Sequence, residues 1–373
     1  MEMKFLRGKR KDGLERKNLE RKSLEKNGCR KKLLTAAVGM MALLTMTGCG
    51  SSGEKTAEGM SALKEFQYQS ALTAFEQAKE AGENERMIAR GMGIAYMGLT
   101  DYENAVTCFK ESLNASSGFV QAMDYDVNFY LAAAYVKAEQ FQEAEQVYDS
   151  ILALKKDEEA YFLRGSVRLT QGNYDGAKED FDKVLSMDPG NYNRLIEIYR
   201  ALESYGYKEV GRSYLESAMQ SAGDKMNDFD SGRIYYYLGE YQKACVALER
   251  AREKGDAESY LYLGRSYEAT GDYNYASSVY NSWISKDTGN AEIYNQLGLC
   301  ELSMGDYKSA LEAFQAGMQT GENSMMQILS FNEIVAYEYL EEYSQALNLV
   351  EGYLKSYPDD VAAQRERDFL STR

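Results

Sequence analysis

Residues Ala291–Ser324 read AEIYNQLGLCELSMGDYKSALEAFQAGMQTGENS, two stretches of helix-forming residues parted by Gly305-Asp306. Glycine can end the first helix by taking a positive φ, and the aspartate behind it can cap the second. Tyr294, Leu297 and Gly298 recur at helical spacing in the first stretch, as do Tyr307, Ala310 and Phe314 in the second. Gly298 and Ala310 let two backbones approach closely, and Phe314 fills the space below their crossing. One such hairpin cannot bury its apolar face alone, so it needs neighbours of the same kind.

The neighbours are in the sequence. Aligning on the aromatic at Tyr307 finds Tyr68, Tyr102, Phe141, Tyr174, Tyr207, Tyr241, Tyr273 and Tyr343, at spacings between 32 and 39 residues. Three residues on stands Ala71, Ala105, Ala144, Ala177, Val210, Ala244, Ala276, Ala310 or Ala346. Four further on comes Phe75, Phe109, Tyr148, Phe181, Tyr214, Leu248, Tyr280, Phe314 or Val350. Nine residues before each aromatic lies Gly59, Gly93, Ala132, Gly165, Ile198, Gly232, Gly264, Gly298 or Ile334. A fixed period of this length marks a repeat architecture.

These residues resemble the tetratricopeptide repeat. The resemblance implies an all-α fold, an α-solenoid wound as a right-handed superhelix of about nine helix-turn-helix repeats. The copies fall near 52–85, 86–119, 125–158, 158–191, 191–224, 225–258, 257–290, 291–324 and 327–360, with a polar capping helix over 361–371. Extra residues near Asn114–Gly118 imply a looser turn or a longer helix after the second copy. The copy at 191–224 is the most degenerate, with Ile198 and Val210 at small-residue places; it is read as a repeat with compensating packing rather than a hinge.

The 373 residues carry a net charge of −15, unevenly spread. Residues 1–32 hold a net +8, which leaves the remainder at −23. An acidic body of this size repels phosphates, so no nucleic-acid partner is expected. The chain has no histidine, which removes the commonest general base and metal ligand. Cys108, Cys245 and Cys300 lie far apart and match no metal or redox spacing. There is no Walker loop, HExxH or nucleophile elbow. The acidic pairs Asp124/Asp126 and Asp228/Asp230 fit helix-start caps better than a calcium site. No enzyme activity, cofactor or metal is expected.

The leader carries its own signal. Arg30-Lys31-Lys32 precedes fourteen uncharged, largely apolar residues, Leu33–Met46, too few to span a bilayer as a helix but suited to a signal peptide. Thr47-Gly48-Cys49 and Gly50-Ser51-Ser52-Gly53 follow. This order resembles the lipobox of bacterial lipoproteins, although Met46 stands where Leu is commoner. The resemblance implies that 1–48 is leader and signal peptide, that Cys49 is lipidated, that 49–53 tethers and that 54–373 is the repeat array. The expected location is the extracytoplasmic side of the cell membrane, held there by the lipid.

In the tetratricopeptide family the first helices of the repeats line a concave groove. Carried onto this chain, that implies a binding strip containing Phe129, Phe162, Leu169, Leu195, Tyr199, Leu202, Phe229, Arg233, Tyr236 and Arg265. So apolar a strip would suit a protein or peptide with an apolar face. The competing reading is that half of these residues pack on the next repeat. The Lys/Asn carboxylate clamp of chaperone-binding members is not matched. Two functions remain: a lipid-anchored scaffold or adaptor, or the body of an envelope enzyme or solute-binding component.

Overall fold

The computed structural model describes residues 53–116, 118–253 and 255–373. Cys49 and the leader lie outside the described residues. Among the described residues there are nineteen α-helices and no strand. They alternate between a first (A) and a second (B) helix of successive hairpins. The first four hairpins are α1 (Glu54–Lys64) with α2 (Tyr68–Glu80), α3 (Glu85–Gly98) with α4 (Tyr102–Asn114), α5 (Ala122–Lys137) with α6 (Phe141–Leu154), and α7 (Glu158–Thr170) with α8 (Tyr174–Met187). The fifth is α9 (Tyr192–Ser204) with α10 (Lys208–Ala222). Then come α11 (Asp228–Leu238) with α12 (Tyr241–Ala251), α13 (Ala257–Thr270) with α14 (Tyr273–Ile284), α15 (Ala291–Met304) with α16 (Tyr307–Gln319), and α17 (Asn323–Tyr339) with α18 (Tyr343–Ser356). The last helix, α19 (Val361–Leu370), buries Ala363 and Leu370 against Ile334, Ala346 and Val350, as a cap should.

The chain divides into two compact units, residues 1–214 and 215–373. In the hairpins other than the fifth, a B helix packs on its own A helix and on the A helix that follows. Eight of the nine aligned aromatics are the first residue of a B helix. The turn before them always holds a residue at positive φ. Gly172, Gly206, Gly239, Gly271 and Gly305 supply it in five copies; Phe66, Thr100, Glu139 and Glu341 adopt it in the others, at φ between 58 and 64°. The hairpin geometry therefore outweighs the local preference of the residue that must make the turn. Asp272 and Asp306 cap their B helices by accepting from the N–H of Tyr275 and Ser309.

The small-against-large pairing is literal. A Cβ on Gly298 would stand 2.4 Å from the Phe314 ring, and one on Gly264 would stand 2.3 Å from the Tyr280 ring. Gly93 meets Phe109 and Gly232 meets Leu248 in the same way.

The fifth hairpin corrects its alignment. Its turn glycine is Gly206 and its B helix starts at Lys208, so the copy runs one residue later than Tyr207 implies. The small B-helix residue is Gly211 rather than Val210. The fully buried large residue is Leu215 rather than Tyr214. A Cβ on Gly211 would meet the Tyr199 ring at 2.9 Å. Tyr199 of the A helix thus packs on Gly211 of the B helix, while Leu215 remains the large buried residue of the B helix, and the boundary between the two units falls beside it.

The irregularity after the second copy is both things the sequence allowed, an exposed turn and a long α5 of sixteen residues. The acidic pairs are not the cap residues themselves. Gln121 and Asn227 hold the N-cap positions. Asp124 completes a capping box with Gln121 and pairs with Arg86, and Asp126 pairs with Arg90 at 2.5 Å. Asp228 and Asp230 sit in the first turn of α11 and pair with Arg250 and Arg233. Cations already engage all four carboxylates.

Candidate functional site: the A-helix face

The expected binding strip separates into covered and uncovered residues. In the first unit Phe162, Leu169, Leu195, Tyr199 and Leu202 are at most 4% exposed, so they are packing residues. For Leu195, Tyr199 and Leu202 the cause is the one-residue shift of the fifth copy. A shift of one turns a helix by about 100°, and that carries groove positions into the seam between helices. Phe162 is covered by the Arg194 guanidinium, 4.2 Å from its ring centroid. Phe129 remains half-buried, 6.3 Å from the Tyr148 ring.

In the second unit Arg233 is buried, whereas Phe229, Tyr236 and Arg265 are half-buried. Tyr237, another residue of the expected groove, stands beside them, and the structure adds Tyr241 and Tyr262. Tyr236 has the rings of Tyr237, Tyr241 and Tyr262 at 5.4, 5.8 and 5.5 Å. The Tyr237 and Tyr262 hydroxyls lie 2.9 Å apart. Phe229 meets Tyr262 edge to face. Edge-to-face contacts hold such rings at fixed angles and keep part of each presented outward.

The arginines of this face do not wait for a ligand. Arg233 spans Asp230 at 2.5 Å and Glu258 at 3.5 Å, and its guanidinium lies 4.3 Å from the Phe229 ring centroid. Arg265 binds Glu292 at 2.6 Å. The first unit repeats the device: Arg90 binds Asp126, and Arg194 binds Glu158 and Glu159. Apart from Arg233–Asp230, which lies within α11, each of these bonds joins one A helix to the A helix of an adjacent copy, so the arginines staple the stack. The sequence held a signal for this, because opposite charges recur about one period apart, 36 residues for Arg90–Asp126 and for Arg194–Glu158. Burial pushes the Glu268 carboxyl upward against the opposing Tyr280 hydroxyl and Arg265. The face thus offers aromatic rings and hydrogen-bonded acids, with its cations already paired.

Reactive groups are scarce. Cys108, Cys245 and Cys300 are buried thiols, and burial raises them to about 11, 11 and 12. They stay protonated at neutral pH and are poor nucleophiles. Among the described residues no group of three or more acidic, cysteine or histidine side chains gathers as a metal site, and no helix is long and apolar enough to cross a membrane.

Two sequence profiles of the tetratricopeptide repeat match this chain, one over 90–159, 131–192 and 229–291 and the other over 291–319, together more than half of it. It is 24% identical over 187 residues to RNA polymerase II-associated protein 3 of Xenopus laevis, covering 50% of this chain and 25% of that protein. It is 29% identical over 145 residues to the peptidyl-prolyl cis-trans isomerase FKBP4 of Mus musculus, covering 34% of this chain and 32% of that one. The chain thus spans about a quarter to a third of the length of these curated relatives. A solved tetratricopeptide repeat protein from Parabacteroides merdae is 13% identical, with 76% of this chain and 99% of that one covered at a TM-score of 0.43.

Proposed function

The chain belongs to the tetratricopeptide-repeat family, and from that membership together with the lipobox-like Thr47-Gly48-Cys49 we propose that it is a lipid-anchored, extracytoplasmic adaptor that holds a protein or peptide on its A-helix face. The observation that carries this reading is the half-buried aromatic cluster of the second unit, Phe229, Tyr236 and Tyr237, beside the paired Arg265. Aromatic side chains at the centre of a patch usually supply most of the binding energy of a protein contact. The acidic body favours a partner with an apolar face and basic flanks. The alternative, the body of an envelope enzyme or solute-binding component, needs a reactive or ligand-holding group. The three described thiols are too buried to serve.

Two experiments bear on it. Tyr236→Ala and Phe229→Ala should each weaken capture of a surface-crosslinked partner by about 2 kcal/mol, roughly thirtyfold, with the helical signal kept. Val246→Ala, on the exposed side of α12, should change nothing. Equal capture by all three variants would move the binding surface elsewhere. For the anchor, cells fed a labelled fatty acid should label the wild-type chain and leave Cys49→Ala unlabelled. Equal label in both rules out lipidation at Cys49.

A further inference from the structure

We propose that one edge of the first unit, the edge where B helices end and the next A helices begin, rests on the lipid bilayer, with Phe119 and Val120 set into the boundary between headgroups and acyl chains. The proposal rests on the lipid-anchor reading.

Three observations converge. First, this edge carries exposed apolar residues at three successive turns. Phe119 and Val120 precede α5 and are 81% and 55% exposed; Leu154 ends α6 at 56%, and Met187 ends α8 at 43%. Single exposed apolar side chains are normal on a protein surface; among the described residues the opposite edge of this unit shows two, Phe66 and Leu99, against four on this one. The matching B-helix ends of the second unit are Ala251, Gln319 and Ser356, with Ile284 half-buried. The second unit exposes Val361 at this edge, 54%, so the apolar series is longer in the unit nearer the anchor in the chain. Second, Phe119, Val120 and Leu154 rim an apolar cavity of about 310 Å³ whose floor is Leu113 and Ile151. Ser116, Asp124, Asn128 and Ser150 also line this cavity, so the contact with hydrocarbon is confined to the outward Phe119, Val120 and Leu154 side chains.

Third, the tether reaches this same edge. The described chain begins at Gly53, at the start of α1. There the N–H groups of Lys55 and Thr56 donate to the Glu83 carboxylate at 3.1 and 2.8 Å. Glu83 lies in the turn before α3. Three residues on, Arg86 donates to Gln121 at 2.9 Å and pairs with Asp124, which lines the cavity. Contacts thus run along the edge from the tether to the apolar turn. Four chain steps lead from Cys49 to Gly53, a reach of at most about 14 Å. A lipid on Cys49 would hold this edge, rather than the opposite one, against the bilayer.

The contact is apolar rather than electrostatic. Lys155 and Lys156 follow Leu154, but Lys155 is bound to Asp157 at 3.0 Å, and Glu158 comes next. Neutral phosphatidylcholine should therefore suffice, and added salt should not release the contact.

The test uses the full-length lipidated protein in phosphatidylcholine vesicles with brominated acyl chains. Trp283→Phe removes the one native tryptophan. A tryptophan reporter is then placed by Phe119→Trp or, on the opposite edge, by Phe66→Trp, both highly exposed positions. Mass spectrometry first establishes the lipid on Cys49. The reporter at position 119 should lose about half of its emission to the bromines, as expected for a group roughly 5–10 Å into the boundary, while the reporter at position 66 keeps nearly all of its own. Adding Val120→Asp and Leu154→Asp to the Phe119→Trp chain should restore its emission with the helical signal unchanged. Equal emission from the two reporters on a lipidated chain overturns the bilayer contact and leaves the anchor standing. A chain without lipid on Cys49 overturns both. If the Phe119→Trp chain is unquenched in vesicles yet becomes shielded from iodide when envelope proteins are added, the edge holds a protein, and the bilayer contact is again overturned.

Discussion

Replacing Phe314 by alanine is expected to cost about 3–5 kcal/mol of unfolding free energy, the range for removing a large aromatic side chain from a well-packed core. Phe314 is fully buried among Ala291, Ala310, Leu329 and Ala336. Its ring also lies where a Cβ of Gly298 would stand, 2.4 Å away. The glycine leaves no atoms that could move into the vacated space, so the cavity collapses poorly and the upper part of the range applies. The reverse change, Gly298→Ala, should cost about 1–3 kcal/mol, because the ring must shift against the alanines around it. The two sites are in contact and should not be additive: in Gly298→Ala with Phe314→Leu, part of each cost is expected to cancel. Urea unfolding followed by circular dichroism measures this. Stability in such arrays is shared mainly between adjacent copies, so the transition should broaden or split rather than shift as one. A loss below about 1 kcal/mol for Phe314→Ala would mean that the ring does not hold the crossing.

The second large effect is expected at Asp180. Its carboxylate, 1% exposed, accepts from Arg164 at 2.5 and 3.0 Å and from Arg168 at 2.9 Å. Arg164 also binds Asp149 at 2.6 Å and Arg168 binds Glu145 at 2.7 Å, so α6, α7 and α8 meet in one network. Asp180→Ala leaves two partly buried guanidinium groups short of a counter-charge, and breaking a buried pair from one side typically costs about 3–5 kcal/mol. The outer carboxylates keep some compensation, which places the expectation near 3 kcal/mol. Asp180→Asn keeps an acceptor and removes the charge; it should fall between the alanine variant and wild type. Because the network is buried, the difference between Asp180→Ala and wild type should persist in about 0.5 M salt, whereas an exposed pair such as Lys178–Asp182 should lose what little it contributes. A network contribution that vanishes in salt would show the carboxylate to be solvated.

The repeat period was legible because packing in such an array is local. Each copy must solve the same crossing, so Gly298 with Phe314 and Gly264 with Tyr280 leave the same trace in the chain. The fifth copy was not legible in the same way. Tyr205-Gly206-Tyr207 offers an aromatic on either side of its turn, and an alignment on aromatics chose Tyr207. The glycine φ of +90° and the helix start at Lys208 decide for the later register.

The same limit governs the candidate site. The family's groove positions, carried onto this chain, placed Phe129, Phe229, Tyr236 and Arg265 on the A-helix face, and they are half-buried. They placed Phe162, Leu169 and Arg233 there too, and these are covered. Arg194 accounts for Phe162 by lying across its ring. A period reports which way a side chain leaves its helix; it does not report what the next copy lays over it.

By itself the sequence determined the all-helical repeat, the crossing of large on small, the turns that part A from B helices, and the cap beyond Ser356. Each of these depends on residues within about one period of one another. Only the tertiary structure decided the register of the fifth copy, which arginines are consumed as staples between A helices, and which aromatics keep an open face. Those depend on side chains that meet across copies, where a shift of one residue, or a single guanidinium laid over a ring, turns an exposed position into a buried one.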